Sequence, residues 1–352
     1  MSEKLKMPLY NKVDARVLKQ QIQQTTEERT TISFYRYFQE SDPQNFRDLL
    51  FVAFSELGIF GRVYVAQEGI NAQVSLPTAN LESFRNYLNS TEKLKDLRLN
   101  NAVEDDGKSF FKLVIKVRNK IVADGIDDPT FNPSNMGKHL SAAEFNAITN
   151  EKETILVDMR NHYESEVGHF KGAILPDSDT FRDELPLVID LLKDQKDKNI
   201  VMYCTGGIRC EKASAYLKHK GFENVFQLEG GIIKYAKDTK EQQLENKFIG
   251  KNFVFDDRLG ERISNDIIAH CHQCGAPCDD HINCANDACH LLFIQCKACA
   301  AQYNACCSNA CKEFILLSVE DQAKYRSGVN LGRQVFKKGR LRAKLGDSSP
   351  ES

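Results

Sequence analysis

The stretch Asn199-Ile200-Val201-Met202-Tyr203-Cys204-Thr205-Gly206-Gly207-Ile208-Arg209 constrains this chain more than any other. An apolar run of strand length leads into a tight glycine-bearing loop, and Glu211 to Lys220 then reads as a helix closed by Gly221. A strand thus delivers Cys204 to the start of a helix. Loop amides and the positive helix end converge on the sulfur there, and Arg209 adds a full positive charge. That setting favours the thiolate, which is the nucleophilic form. Most free cysteines are inert core residues, but Gly206-Gly207 and Arg209 have no packing role in a plain core strand. Cys210, in the first helical turn, reads as a small buried residue rather than a resolving thiol.

Flanking segments sharpen the reading. Thr154 to Arg160 is a strand ending in a charged pair, followed by Glu164 and by Gly168-His169-Phe170-Lys171-Gly172-Ala173. Val225 to Leu228 leads into Glu229-Gly230-Gly231. Over residues 136 to 240 this set resembles the rhodanese domain. The resemblance implies an α/β domain with a parallel sheet, an active-site loop made of Thr205, Gly206, Gly207, Ile208 and Arg209, and Cys204 as a persulfide carrier. Four residues separate Cys204 from Arg209, against five in the related phosphatase loops, so the cradle suits a sulfur atom more than a phosphate. Asp158, Arg160 and His169 are expected to tie strand ends to loops.

Composition matters most through its unevenness. Of 12 cysteines only Cys204 and Cys210 precede residue 271, and the other ten crowd into residues 271 to 311, joined by His270, His272, His281 and His290. In a reducing compartment this argues for metal rather than disulfides. Cys271-x2-Cys274 and Cys296-x2-Cys299 are two knuckle-like pairs able to complete one tetrahedral site. Cys278, Cys284, Cys289, Cys306, Cys307 and Cys311 suffice for a second, with its four ligands left open. One or two structural zinc ions are expected, with an iron–sulfur cluster as the rival.

Before the rhodanese-like region, Thr31 to Phe38 alternates like a strand and Asp42-Pro43 opens a helix ending near Gly58. Arg62 to Gln67 and Ile70 to Leu76 are two more strands, Leu81 to Leu88 a helix, and Phe110 to Val122 a last strand. The order β-α-β-β-α-β is the split βαβ, ferredoxin-like arrangement that acylphosphatases share. No phosphate loop with an arginine accompanies it, so the module is read as a binding or positioning domain. In its last strand Lys112, Lys116, Arg118 and Lys120 share one parity and Leu113, Ile115 and Val117 the other. The basic face is either a lysine-protected sheet edge or a track for a phosphate backbone. Tyr35 and Tyr37 are core rings or stacking platforms. Asp127 to Asn135 reads as a linker. Three domains are expected: 1–125, ferredoxin-like; 136–245, rhodanese; and 250–352, cysteine-rich with a basic tail. That tail carries Arg333, Lys337, Lys338, Arg340, Arg342 and Lys344 with no acidic residue between Gly328 and Gly346. In a chain of net charge −2 such local patches, not bulk charge, would draw a nucleic acid.

The full order, a ferredoxin-like module, Cys204-Thr205-Gly206-Gly207-Ile208-Arg209-Cys210-Glu211-Lys212, then Cys271-His272-Gln273-Cys274-Gly275-Ala276-Pro277-Cys278, resembles the bacterial tRNA uridine(34) hydroxylases. Phe253 to Arg258 matches that family's connecting segment. The resemblance implies O2-dependent conversion of wobble uridine to 5-hydroxyuridine, tRNA contacted at its anticodon region, and Cys204 essential, acting as a persulfide charged by a sulfur donor. The residues themselves establish only a sulfur-handling thiolate and basic surfaces. There is no flavin or nicotinamide fingerprint, no two-histidine-plus-carboxylate iron motif and no haem site. Two other readings stand beside it: a rhodanese-type sulfurtransferase passing sulfur from Cys204 to a thiol or tRNA, and a non-catalytic RNA-binding scaffold. No membrane span or signal peptide is legible, so a cytoplasmic location is expected.

Overall fold

The computed structural model describes residues 13–328. Helix α1 (Ala15–Gln24) precedes an α+β unit of β1 (Arg29–Tyr37), α2 (Pro43–Glu56), β2 (Phe60–Ala66), β3 (Gly69–Pro77), α3 (Leu81–Ser90), β4 (Asn100–Asn101) and β5 (Leu113–Val117). Asp42 starts α2 by accepting the Asn45 N–H at 3.0 Å, with Pro43 in the first turn. Period-2 alternation splits the sheet into two faces. Ile32, Phe34, Val63, Val65, Ile70, Ala72 and Val74 pack under Phe46, Leu50, Phe54 and Phe84 of the two helices. The opposite face carries Thr31, Ser33, Tyr35, Arg62, Tyr64, Asn71 and Gln73, and neither α2 nor α3 covers it.

The sheet order is β4-β1-β3-β2-β5. The last strand therefore differs from the expected one in length and place. It spans five residues rather than Phe110 to Val122, and it adds to the outer edge of β2 in parallel. The position beside β1, where a split βαβ puts its final strand, goes to Asn100–Asn101. That pairing stops after two residues because Asp105 turns back to accept the Thr31 N–H and hydroxyl.

The second unit is a four-stranded parallel sheet, order β6-β10-β9-β7, from β6 (Lys138–Leu140), β7 (Thr154–Asp158), β9 (Asn199–Tyr203) and β10 (Asn224–Leu228). Helices α4 (Ala142–Ile148), α5 (His162–Ser165), α6 (Phe181–Leu192), α7 (Ile208–His219) and α8 (Gly231–Glu241) accompany it. Along β9, Ile200 and Met202 face the α6–α7 layer, whereas Val201 and Tyr203 face α4 and α8. Asp158 and the fully buried Arg160 form a two-bond pair, and Arg160 also donates to the Gly168 carbonyl at 2.6 Å. That ties the end of β7 to β8 (Gly168–Phe170), which pairs antiparallel with β11 (Phe248–Asn252) from beyond the parallel sheet. The cysteine-rich part is small: β12 (Glu261–Arg262), a hairpin of β13 (His281–Asn283) and β14 (Leu292–Ile294), then α9 (Lys297–Tyr303), α10 (Asn309–Phe314) and α11 (Val319–Gly328).

The first unit docks with its uncovered sheet face on the start of α7. Lys212, 2% exposed, reaches across to Glu68 at 2.8 and 2.9 Å and to the buried Asp124. The Tyr35 hydroxyl donates to Glu211 at 2.9 Å, the Tyr37 hydroxyl to the Ile208 carbonyl at 3.3 Å, and Arg98 pairs with Glu229. Tyr35 and Tyr37 are thus docking residues rather than core rings.

Replacing Lys212 with alanine leaves Asp124 and Glu68 without their shared cation. The expected cost is about 3 kcal/mol, the low end for breaking a buried ion pair, because Lys120 stays on Asp124. Thermal unfolding of Lys212→Ala checks this: an early transition, with proteolysis gained between residues 118 and 137, is expected. An unchanged melting curve would contradict it.

Candidate active site

Cys204 follows β9 directly, on the parity of Ile200 and Met202, so its side chain enters the α7 layer. Two glycines make the loop possible. Gly207 has φ +99°, and a Cβ there would sit 2.8 Å from the Tyr35 hydroxyl. Gly231 has φ +65°, and a Cβ there would sit 2.4 Å from the Cys204 carbonyl. Bare backbone at Gly231 lets the first turn of α8 hold the loop from behind: Ile232 and Ile233 N–H groups donate to the Cys204 and Thr205 carbonyls at 3.0 and 3.2 Å. The Gly207 N–H donates to Cys204 Sγ at 3.2 Å.

Burial opposes charge on Cys204, yet the Cys210 thiol, the Arg209 charge and the Cys210 and Arg209 amides overcome it and bring its pKa down to about 6. Cys210 is buried in the core, and burial together with the neighbouring sulfur pushes its own thiol well up, so it keeps its proton and donates. Arg209 does not reach the sulfur as a free cation. Its guanidinium is locked on Glu164 by two bonds of 2.6 and 2.8 Å, with Glu164 itself fully buried. The sulfur therefore sees one end of a fixed ion pair. Glu184 is also fully buried, and neither of its oxygens has a hydrogen-bond partner among the described residues. Burial pushes its carboxyl well up, so it is neutral and adds no second negative charge beside the thiolate.

The cysteine loop forms one wall of a cavity of about 300 Å3. The uncovered sheet face forms the opposite wall, through Ser33, Tyr35, Asn71 and Gln73, and Val254, Phe255 and Arg258 of the connecting segment close the side. That volume is at the lower end of the ~300–1,000 Å3 usual for small-molecule sites. The register continues this wall outwards. Tyr64 on β2 pairs with both Asn71 on β3 and Lys116 on β5, so the basic parity of β5 lies on the cavity's face of the sheet. Lys116 and Arg118 are exposed there, Arg118 over the Tyr64 ring, and Lys112 is half-buried. Lys120 departs from the expected row: its ammonium is spent on Asp124 at 2.6 Å and the Ile126 carbonyl at 2.7 Å. Arg333, Lys337, Lys338, Arg340, Arg342 and Lys344 lie outside the described residues.

The cysteine-rich part brings together two tetrads. Cys271, Cys274, Cys296 and Cys299 form one, and Cys284, Cys289, Cys307 and Cys311 the other, with all four sulfurs of each within 4.8 Å of one another. Cys278 and Cys306 belong to neither. Sulfur–sulfur separations of 3.6 Å (Cys274–Cys296) and 3.7 Å (Cys289–Cys307 and Cys307–Cys311) suit one tetrahedral ion, whose thiolates at ~2.3 Å stand about 3.8 Å apart. An iron–sulfur cluster would spread them around a larger core. Backbone N–H groups of Cys296 and Cys307 point at Cys271 and Cys284 at 3.4 Å, as donors to thiolates do.

Sequence reasoning located the loop, but it missed what completes the site. Glu164 carried a signal only as an acid between two recognised motifs. Glu184, Ser33, Asn71 and Gln73 carried none. Among the described residues no helix is long and apolar enough to cross a membrane.

Alkylation of Cys204 by iodoacetamide is expected to rise through pH 6 and level off by pH 7.5, because the thiolate predominates above its pKa. In Cys210→Ala the lost S–H donor moves that midpoint upward by a unit or so, an order-of-magnitude figure. A wild-type midpoint at 8 or above, read by mass spectrometry of the Cys204 peptide, would contradict the account.

Comparison with known proteins agrees with this anatomy. Residues 29–121 match the model of the UPF0176 acylphosphatase like domain, 141–238 the Rhodanese-like domain and 249–312 the Rhodanase C-terminal. A tRNA uridine(34) hydroxylase of Enterobacter sp. (strain 638) is 55% identical over 346 residues, 97% of this chain and 99% of that protein. Proteins of the same name from Pectobacterium atrosepticum and Photorhabdus laumondii are 57% and 56% identical over 333 and 342 residues. They cover 94% and 97% of this chain, and the same shares of their own length. Similarity of this extent, with the cysteine loop, the acylphosphatase-like sheet and the cysteine tetrads in one chain, makes it a member of the tRNA uridine(34) hydroxylase family.

Proposed function

We infer that this chain hydroxylates uridine 34 of tRNA at C5, giving 5-hydroxyuridine, with the sulfur of Cys204 as the reacting atom. The observation that carries this is the low-pKa thiolate opening into a base-sized cavity whose far wall runs on into a basic strand. Attack of the sulfur, as thiolate or persulfide, on C6 of the uracil forms an S–C6 bond and moves the C5–C6 π pair onto C5. That carbon then takes one oxygen atom. With O2 as the source, the second atom leaves as water and needs two electrons and two protons, which an external thiol reductant supplies as two of its thiols close into a disulfide. Loss of the C5 proton and cleavage of S–C6 restore the ring.

The remaining parts take supporting roles. Thr205, Gly206, Gly207, Ile208 and Arg209 shape and charge the loop. Lys112, Lys116 and Arg118, with the basic tail from Arg333 to Lys344, hold phosphates of the anticodon arm; such contacts orient the RNA without reading its sequence. The two cysteine tetrads would each hold one structural zinc, whose chemistry here is to fix the fold of the part that supplies Phe255 and Arg258 to the cavity. The organisation is an acylphosphatase-like positioning domain at 1–125, a rhodanese domain at 136–245 and a zinc module from 250. An enzyme acting on tRNA in this way works in the cytoplasm.

Nucleoside mass spectrometry of tRNA from cells lacking the gene, complemented with wild type or Cys204→Ser, tests the assignment. Wild type is expected to restore wobble 5-hydroxyuridine derivatives and Cys204→Ser to restore less than about 1%, a loss of the size that removing a nucleophile produces. The variant should keep two zinc ions per chain and bind tRNA within about twofold of wild type, since phosphate contacts supply most of the affinity. Unchanged hydroxylation with an altered thionucleoside or persulfide pool would establish the sulfurtransferase reading instead.

A further inference from the structure

The cavity wall facing Cys204 has a hydrogen-bonding pattern of its own. Asn71 and Gln73 sit on β3, and Ser33 lies directly across from Gln73 on β1. The Asn71 amide nitrogen donates to the Ile121 carbonyl at 3.3 Å, which sets that amide's orientation and leaves its oxygen towards Gln73. The Gln73 amide nitrogen then donates to Asn71 Oδ1 at 2.8 Å. This relay leaves Gln73 Oε1 as an acceptor with no protein donor among the described residues. Beside it, Ser33 Oγ is buried with no partner at all among them. A buried hydroxyl left unpaired costs stability, so a wall that keeps one is built for something that arrives later.

We propose that Gln73 and Ser33 read the Watson–Crick edge of uracil 34, flipped out of the anticodon stack into this cavity. Gln73 Oε1 accepts the N3–H and Ser33 Oγ donates to the neighbouring carbonyl oxygen. Directly paired residues on adjacent strands stand about 5 Å apart, a span that two neighbouring edge atoms of one pyrimidine can bridge. The opposite edge of the ring, C5–C6, is then turned to the wall that carries Cys204, where the reaction needs it. Cytosine presents an unprotonated N3 to Gln73 Oε1, acceptor against acceptor, and an amino group at C4. The wall thereby selects uridine by a mismatch as well as by a match. Phe255, 39% exposed at the cavity's side, is placed to stack on the flipped base or its neighbour. Asn71 is a positioning residue, acting through Gln73.

This assignment rests on the hydroxylase reading for its substrate, but a binding measurement tests it without catalysis. Anticodon stem-loops with uridine or cytidine at position 34 are titrated against full-length wild type, Gln73→Ala and Ser33→Ala. Wild type is expected to favour the uridine stem-loop by about 5- to 100-fold, the discrimination one matched base edge supplies. Either substitution should bring the ratio to within about threefold of one while leaving affinity for the cytidine stem-loop, Cys204 alkylation and thermal unfolding as in wild type. An unchanged ratio in both variants overturns the proposal, as does a wild-type ratio of one. If wild type favours uridine through Gln73 but forms no 5-hydroxyuridine, the hydroxylase reading fails and the recognition wall stands.

Discussion

A negative sulfur buried at the end of a strand is the constraint that the surrounding structure answers. Removing an anion from water is expensive, and a protein either neutralises it or surrounds it with fixed donors. At Cys204 the donors are the Gly207 amide, the Cys210 thiol and the first-turn amides of α7, backed by one end of the Arg209–Glu164 pair. Glu184, neutral by burial, keeps the local charge from tipping further negative. Lengthening the loop, freeing Arg209 from Glu164 or ionising Glu184 would each change the charge that the sulfur carries.

The same helix that stabilises the sulfur also recruits the first domain. Glu211 and Lys212 follow directly after Cys210, and they take Tyr35, Glu68 and Asp124 as partners. Docking turns the uncovered face of a split βαβ sheet into the roof of the cavity at Cys204. That use explains why the sheet face opposite its helices carries serine, asparagine, glutamine and tyrosine rather than an apolar stripe. It also accounts for Gly207, where a methyl group would strike the docked Tyr35. The connecting segment from β11 to β12 closes the side, so all three parts of the chain meet at one sulfur.

Local pattern was enough to read some of this. Cys204 to Arg209 announced itself by the strand before it and the helix after it, and Cys271, Cys274, Cys296 and Cys299 by knuckle spacing. Helices α2 and α3 and the first three strands of the N-terminal domain followed from alternation and from Asp42-Pro43, whereas α1 (Ala15–Gln24) carried no signal that was read. What sequence reading missed lies in contacts between distant residues. Tyr35 and Glu211 are 176 positions apart, and no periodicity links them. Cys284, Cys289, Cys307 and Cys311 could be chosen from six cysteines only once the hairpin and α10 had brought them together. Lys120 shared its parity with a basic row, yet the turn after β5 carries it to Asp124. Alternation runs the last strand too long because Phe110, Ile121 and Val122 are apolar for packing reasons unrelated to sheet pairing.

On the proposed mechanism uridine 34 is held between the sheet of the first domain and the cysteine loop of the second. Photo-crosslinking of an anticodon stem-loop carrying 4-thiouridine at position 34 to the intact enzyme tests that most directly. Crosslinked peptides from Gly69–Pro77 or Arg29–Tyr37 are expected together with peptides containing Cys204. Crosslinks confined to the basic edge at Leu113–Val117, or to the cysteine-rich part, would place the base elsewhere and contradict it.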